Sequence, residues 1–292
     1  MKLVQFINKA IGIFGAKIIS SIPEQREVQR LNLLRQRNHW STAKYTAGLD
    51  LDEARFLSFL NQVCVPYRND LCRLPRTAAE VCGGYYFNNI WFGPVDGSIL
   101  YGVIRHFRPN HIIEIGSGFS THLMRRAITD GSLPTRVTSI DPEPRIDIHL
   151  VADTILPLRV EELNVHDIVD RLNEGDILFI DSSHMIVSGG DVPFLFLEVL
   201  PRLRPGVLIH VHDIFFPYDY PEEWVCVLRR GWNEQYLVHA FLAFNAAFHI
   251  LWSGSYMWNK QREALVKALP DDINAQGAGS LWLQRSETQA RI

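Results

Sequence analysis

Cysteine is scarce in this sequence: Cys64, Cys72, Cys82 and Cys226 are the only four in 292 residues, and none stand in C-x-x-C spacing. That argues against a zinc ribbon or a disulfide-built scaffold, and suits reduced, partly buried thiols in a cytoplasmic protein. No run of about 20 apolar residues occurs, which argues against a membrane span. An excess of positive charge is also missing. The 29 Lys and Arg face 32 Asp and Glu, a net charge of −3, so there is no electrostatic footprint for nucleic acid. Internal repeats and low-complexity tracts are absent as well. What remains is a globular composition, 47% hydrophobic and 21% charged. The length accommodates one large α/β domain, or a domain with a helical extension.

The first 22 residues place Leu3, Phe6, Ile7, Ala10, Ile11, Phe14, Ile18 and Ile22 at helical spacing, with Gln5, Asn8, Lys9 and Gly12 opposite. Lys9 interrupts any signal-peptide core, and no clear cleavage site follows. Two partners for the apolar stripe stay open. One is protein, either this domain or a second copy in a homo-oligomer. The other is a membrane surface, approached with Lys2, Lys9 and Lys17 as a peripheral contact. Gly12 and Gly15 weaken an isolated helix and favour the first.

Residues 24–38 read as a solvated helix with Val28, Leu31 and Leu34 on one stripe. Asp50 and Glu53 read as a capping box ahead of Phe56, Leu57, Leu60 and Val63. Residues 65–98, rich in Pro, Gly, Asn and aromatics, read as a connection folded over something, and a helix is expected over 100–107. The expected division is a helical extension over 1–80 and an α/β domain over 81–292.

The organising stretch is His111-Ile-Ile-Glu-Ile-Gly-Ser-Gly-Phe-Ser-Thr121. Ile112, Ile113 and Ile115 form the β-branched run of a buried parallel strand. Gly116 and Gly118 supply a tight turn that lets a ligand approach bare backbone. Ser120 or Thr121 can cap the following helix, whose free N–H groups suit an anionic ligand. The third glycine of a dinucleotide fingerprint is missing, because Thr121 stands there.

Downstream, strand candidates at 111–115, 136–140, 159–165, 176–180, 206–212, 247–252 and 280–285 alternate with helical patterns. Those patterns fall at 120–129, 166–173, 191–203, 222–243 and 259–269. The alternation predicts an α/β fold with a parallel, Rossmann-like sheet, helices on both faces, and ligands beyond the carboxyl ends of the strands. The second strand candidate ends in Asp141, 23 residues after Gly118. A carboxylate there can accept both hydroxyls of a ribose, whether of NAD or of S-adenosylmethionine. The adenine would then lie around residues 163–167. The fourth candidate runs into Asp181-Ser-Ser-His184, and the fifth carries His210, His212 and Asp213. His210, one pleat deeper than His212, reads as a satisfied core residue.

With Glu114 two residues before its first glycine, the organising stretch resembles motif I of the class I S-adenosylmethionine-dependent methyltransferases. From about Tyr85 to Arg285 the chain is similar to the bacterial members related to macrocin-type O-methyltransferases and to cephalosporin-hydroxylase-like proteins. The segments that carry this are Glu114-Ile-Gly-Ser-Gly, Ile140-Asp-Pro, Phe179-Ile-Asp-Ser-Ser-His, His212-Asp-Ile, Trp232-Asn-Glu-Gln-Tyr236 and Ser280-Leu-Trp-Leu. The resemblance implies a seven-stranded methyltransferase sheet. It also implies S-adenosylmethionine bound by Glu114, Gly116, Ser117, Gly118, Ser120, Thr121 and Asp141.

In metal-dependent O-methyltransferases of the catechol type, the fourth strand ends in a magnesium-binding acid, and a lysine three residues later lies by the acceptor hydroxyl. The fifth strand ends in an acid–amide pair. By that resemblance Asp181, His212 and Asp213 would hold a divalent cation, magnesium or manganese, and His184 would accept a proton. Histidine stands in place of lysine at 184 and of an acid at 212, and Asp213 in place of an amide. As a ligand, His212 favours manganese, iron or zinc over magnesium, and the alternative of a hydrogen-bond donor behind the ligands stays open. The expected activity is methyl transfer to a sugar or small-metabolite hydroxyl. Two alternatives stay open. One is a metal-dependent hydroxylase-like enzyme with Asp181, His212 and Asp213 as a facial triad. The other is a non-catalytic accessory protein that binds a nucleotide-like ligand.

Overall fold

The computed structural model describes residues 22–270 and 278–287. The apolar stripe expected over residues 1–22, with its choice between protein and membrane, lies outside the described residues, apart from the start of helix α1 (Ile22–Gln36). On α1 Leu31 is buried while Val28 is exposed, so the helix is anchored narrowly. Arg35 adds an ion pair to Glu222 at 2.6 Å.

Helix α2 (Glu53–Val63) is capped by Asp52, whose side chain accepts from the amides of Ala54 and Arg55. The expected cap at Asp50 is displaced by two residues. Asp52 has the extended backbone a cap requires, and Asp50 pairs instead with Arg55 at 2.8 Å. Phe56, Phe59, Leu60 and Val63 of α2 belong to the same apolar core as the central strands.

Helix α3 (Pro94–Phe107) begins six residues before the expected start at 100, with proline in its first turn. Every residue from Pro94 to Ile104 is buried, so the segment has no polar face and no helical period to read. Helix α4 (Phe119–Asp130) follows the glycine turn.

Seven strands form one sheet: β1 (His111–Ile115), β2 (Arg136–Ile140), β3 (Thr154–Leu156), β4 (Ile177–Ile180), β5 (Leu208–Val211), β6 (Phe248–Ser253) and β7 (Leu281–Arg285). Their order is β3-β2-β1-β4-β5-β7-β6. Pairing is parallel from β3 through β5, whereas β7 runs antiparallel to both β5 and β6. The expected Rossmann-like sheet is therefore present, but as a mixed sheet with one reversed strand. The strands β4 and β5 are buried at every position, as a sheet covered on both faces requires.

Two other expectations are corrected. The third strand is Thr154–Leu156, not 159–165, because Pro157 ends it and Val160–Glu162 forms a 3-10 turn. The helix expected over 222–243 is two helices, α5 (Glu222–Cys226) and α6 (Glu234–Leu242). Arg229, at a left-handed φ of 52°, lies in the loop between them.

All four cysteines are unpaired thiols. Among the described residues no helix is long and apolar enough to cross a membrane.

Gly102 marks the tightest helix contact. A β-carbon there would lie 1.7 Å from the carbonyl oxygen of Val63, so α3 touches the end of α2 backbone to backbone. In an open helix, replacing glycine by alanine stabilises by about 1 kcal/mol. Here the sign reverses: Gly102→Ala should cost about 1–3 kcal/mol by overpacking, read from urea unfolding. A stabilised variant would show that the two helices are not in contact.

Candidate active site

The turn after β1 is fixed from beneath by Glu114, which is fully buried at the end of that strand. Its carboxylate accepts three hydroxyl hydrogen bonds, from Ser120 (2.6 Å), Thr121 (2.7 Å) and Ser139 (2.8 Å). Thr121 Oγ1 in turn accepts the amide of Gly118 at 3.0 Å. Burial pushes the Glu114 carboxyl up to about 7, against the pull of the three hydroxyls. Asp141, at the end of β2, holds the turn from the side. It accepts from the amide and hydroxyl of Ser117 at 2.8 and 2.7 Å, and from the amide of Glu143 at 2.8 Å.

A cavity of about 460 Å³ opens beyond the carboxyl ends of β1, β2 and β4, with Gly116, Ser117, Asp141 and Asp181 in its wall. The strand order reverses between β1 and β4, which is where open α/β sheets place their ligands. Of the expected cofactor residues, Gly116, Ser117 and Asp141 therefore line the cavity. Glu114, Ser120 and Thr121 lie under the turn and bond to one another, and Gly118 has open space where a side chain would project. The loop after β3 brings Arg159, Val160 and Glu161 to the cavity, not residues 163–167. The early end of β3 at Leu156 accounts for that shift.

Asp181 follows β4, and His212 and Asp213 follow β5. The amide of His212 donates to the carbonyl of Ile180 at 2.9 Å, which sets the two strand ends side by side. One donor atom each from Asp181, His212 and Asp213 lies within 4.8 Å of the others. His184 joins them: its Nε2 is 3.3 Å from Asp181 Oδ1 and 3.7 Å from Asp213 Oδ2. The four residues that the sequence singled out at these strand ends are thus brought together.

Burial opposes every charge in this group. For Asp181, His212 and His184 outweigh that burial and hold the carboxyl well below the usual range. Burial likewise opposes the charge on His184 and His212, yet the facing acids raise both. Asp213 is lifted by burial beyond what the two histidines offset. His184 (φ 59°) and Asp213 (φ 56°) both occupy the left-handed region that non-glycine residues rarely enter.

His210 does not fit its reading as a satisfied core residue. It is fully buried, but neither ring nitrogen has a hydrogen-bond partner. Its ring stacks on Phe179 at 4.0 Å and 7°, and burial pushes its pKa far down, so it packs as a neutral aromatic ring.

Further residues close the other side of the site. His184 packs against Trp232 with ring centroids 4.2 Å apart. Arg230 lies over both Trp224 and Trp232, at 4.1 and 4.4 Å. Glu234, within the segment Trp232-Asn-Glu-Gln-Tyr236, meets His184 Nδ1 at 2.9 Å. The signal available was an acid flanked by aromatics in Trp232-Asn-Glu-Gln-Tyr236, hidden by the reading of one continuous helix.

Part of the chain is similar to known proteins. Residues 113–214, from β1 to the residue after Asp213, match the sequence profile of a family described as a methyltransferase domain. This third of the chain is therefore similar to a methyltransferase domain, as the motifs implied. An uncharacterized protein from Archaeoglobus fulgidus is 36% identical over 105 residues, which is 35% of this chain and 45% of that protein. The matched region thus spans less than half the length of that curated relative. Among solved structures, the apo structure of CmcI-N160 is similar over 88% of this chain and 96% of its own, with a TM-score of 0.43 and 13% identity. The S-adenosylhomocysteine-bound Podospora anserina methyltransferase PaMTH1 is similar over 93% and 100%, at a TM-score of 0.39 and 14% identity. At these levels the likeness concerns general fold alone.

Glu114 yields a test of the turn. Its ordinary value of 4.5 rises to about 7 in the folded chain, so between those values the native state holds a proton the unfolded state has lost. Stability contributed at this position therefore falls as pH rises through that window, by about 3 kcal/mol in all. Glu114→Gln lacks this dependence. Urea unfolding at about pH 4.5 and about pH 8 should show the difference between variant and native protein moving by that amount in the variant's favour. A difference independent of pH would contradict the buried, hydroxyl-ringed carboxyl.

Proposed function

We propose that this chain transfers the methyl group of S-adenosylmethionine to a hydroxyl oxygen of a sugar or small metabolite, assisted by a divalent cation. The observation that supports this most is the double position of Asp181. It lines the cavity with Gly116, Ser117 and Asp141, and it belongs to the group formed with His212 and Asp213. The cofactor cavity and the candidate ion site therefore meet at one side chain.

The residues present suit such an ion. Two carboxylates and an imidazole converge, and His212 is buried with its Nδ1 lacking a partner. That donor set suits manganese, and also iron or zinc, better than magnesium. When bound, a divalent cation would polarise the acceptor hydroxyl and offset the charge of the two acids.

The rest of the chemistry falls to the chain. Asp141 Oδ1 receives a single amide hydrogen and keeps capacity for a ribose hydroxyl. The turn at Gly116 and Ser117 brings backbone to the cavity wall, where a cofactor could approach it closely. In the transfer, the acceptor oxygen forms a bond to the methyl carbon, and the bond to the sulfonium sulfur breaks with its electron pair left on sulfur. The hydroxyl proton goes to His184 at Nε2. In the structure Asp181 and Glu234 raise the pKa of His184 against the effect of its burial, and engagement of Asp181 by another partner would lower it again. Much of the rate enhancement then comes from holding acceptor and methyl group in line in a site shielded from water.

Two measurements test this reading. In calorimetry, S-adenosylhomocysteine should bind the native protein, and Asp141→Ala should weaken it by about 1.5–3 kcal/mol, the scale of a lost hydrogen bond to a charged group. In thermal melting, manganese should stabilise the native protein but neither Asp181→Ala nor Asp213→Ala, while Asp213→Ala keeps its affinity for S-adenosylhomocysteine. Stabilisation by NAD without any by S-adenosylhomocysteine would overturn the reading.

A further inference from the structure

Among the described residues two glutamates are completely buried, Glu114 and Glu234. They are built differently. Glu114 has three hydroxyl donors on its carboxylate. Glu234 has a single partner, the Nδ1 of His184 at 2.9 Å, and its Oε1 is buried without one. A carboxylate enclosed with half its acceptors unused is costly, and a neutral side chain of the same shape would serve packing at least as well. Its one contact must therefore account for its presence.

That contact is the centre of a bracket around His184. The amides of Asn233 and Glu234 both donate to the His184 carbonyl, at 3.1 and 3.2 Å. The side-chain oxygen of Asn233 accepts the amide of Ile186 at 2.6 Å. Trp232 packs against the imidazole at a tilt of 42°. His184 is thereby held at a left-handed φ of 59°. On the far side of the ring, Nε2 faces Asp181 and Asp213 at 3.3 and 3.7 Å. Glu234, as a carboxylate, can only accept, so the hydrogen between the two groups belongs to Nδ1.

We propose that Glu234 is the positioning residue for His184: it accepts the Nδ1 hydrogen, and so makes Nε2 the nitrogen presented to Asp181, Asp213 and the acceptor hydroxyl. This role rests on the methyl-transfer reading above. A side chain that donates to Nδ1 would move the hydrogen to Nε2 and turn the ring's lone pair into the core. The ring would then stand in place without being able to take a proton.

The test is a nitrogen spectrum of the full chain labelled with ¹⁵N-histidine, recorded at a pH where the ring is neutral. The His184 signals are identified by their loss in His184→Ala. The native protein should carry the His184 hydrogen on Nδ1. Glu234→Gln, whose amide can donate, should lose that Nδ1–H signal and gain one at Nε2, with S-adenosylhomocysteine affinity unchanged. A native spectrum with the hydrogen on Nε2 overturns the proposal even if the variant fails to fold, and so does an unchanged tautomer in a folded variant. Failure of the native protein to bind S-adenosylhomocysteine is a separate result. It would remove the methyl-transfer reading, and the role with it, whatever the tautomer.

Discussion

A β-carbon at position 116 would lie 1.9 Å from the carbonyl oxygen of Asp181, so the turn after β1 and the end of β4 meet as bare backbone. Gly116 also adopts a φ of 78°, which a side chain would strain in any surroundings. Hydrogen bonds lock the contact on either side. The Gly116 amide donates to Ile140 of β2, and the Asp181 amide donates to Ile115 of β1. The wall that would hold a cofactor and the acid that would face an ion are therefore joined by main chain. Their spacing does not depend on a side-chain rotamer. Ser117 is then oriented by Asp141, and the Asp181 side chain is left facing His184 and His212.

Around this contact the protein uses buried polar groups in two ways. Under the turn, Glu114 is surrounded by hydroxyls from α4 and β2 and ties those elements together. At the strand ends, acids and histidines are packed closely, His184 and Asp213 at left-handed backbone positions, with the His212 Nδ1 unpartnered. Strain and unmet hydrogen-bonding capacity gathered in one place are costly to stability, and such costs tend to collect where function requires them.

The parts of this architecture that were legible in the sequence share a physical cause. β1, β4 and β5 are buried, mostly apolar runs, β2 is buried from its second residue on, and the chemistry sits just past the strand ends, so Asp141, Asp181, His184, His212 and Asp213 could be picked out by position. β3 escaped because it is three residues long and none of them is fully buried. α3 escaped for the opposite reason, since a segment buried all round shows no period. Glu114 was recognisable as a motif residue, but its three hydroxyl partners only become neighbours once β2 and α4 are in place. Glu234 lies 50 residues from its partner His184, and no local spacing announces such a pair.

The central claim is that the methyl donor and the ion share one site through Asp181. Manganese is paramagnetic and broadens the resonance of any nucleus held close to it. The direct measurement is therefore the relaxation of S-adenosylmethionine carrying a ¹³C-methyl group, bound to the native protein and titrated with manganese. Strong broadening of the methyl signal, lost in Asp181→Ala while the cofactor stays bound, is the expected result. A bound methyl group that manganese leaves sharp in the native protein would contradict the account.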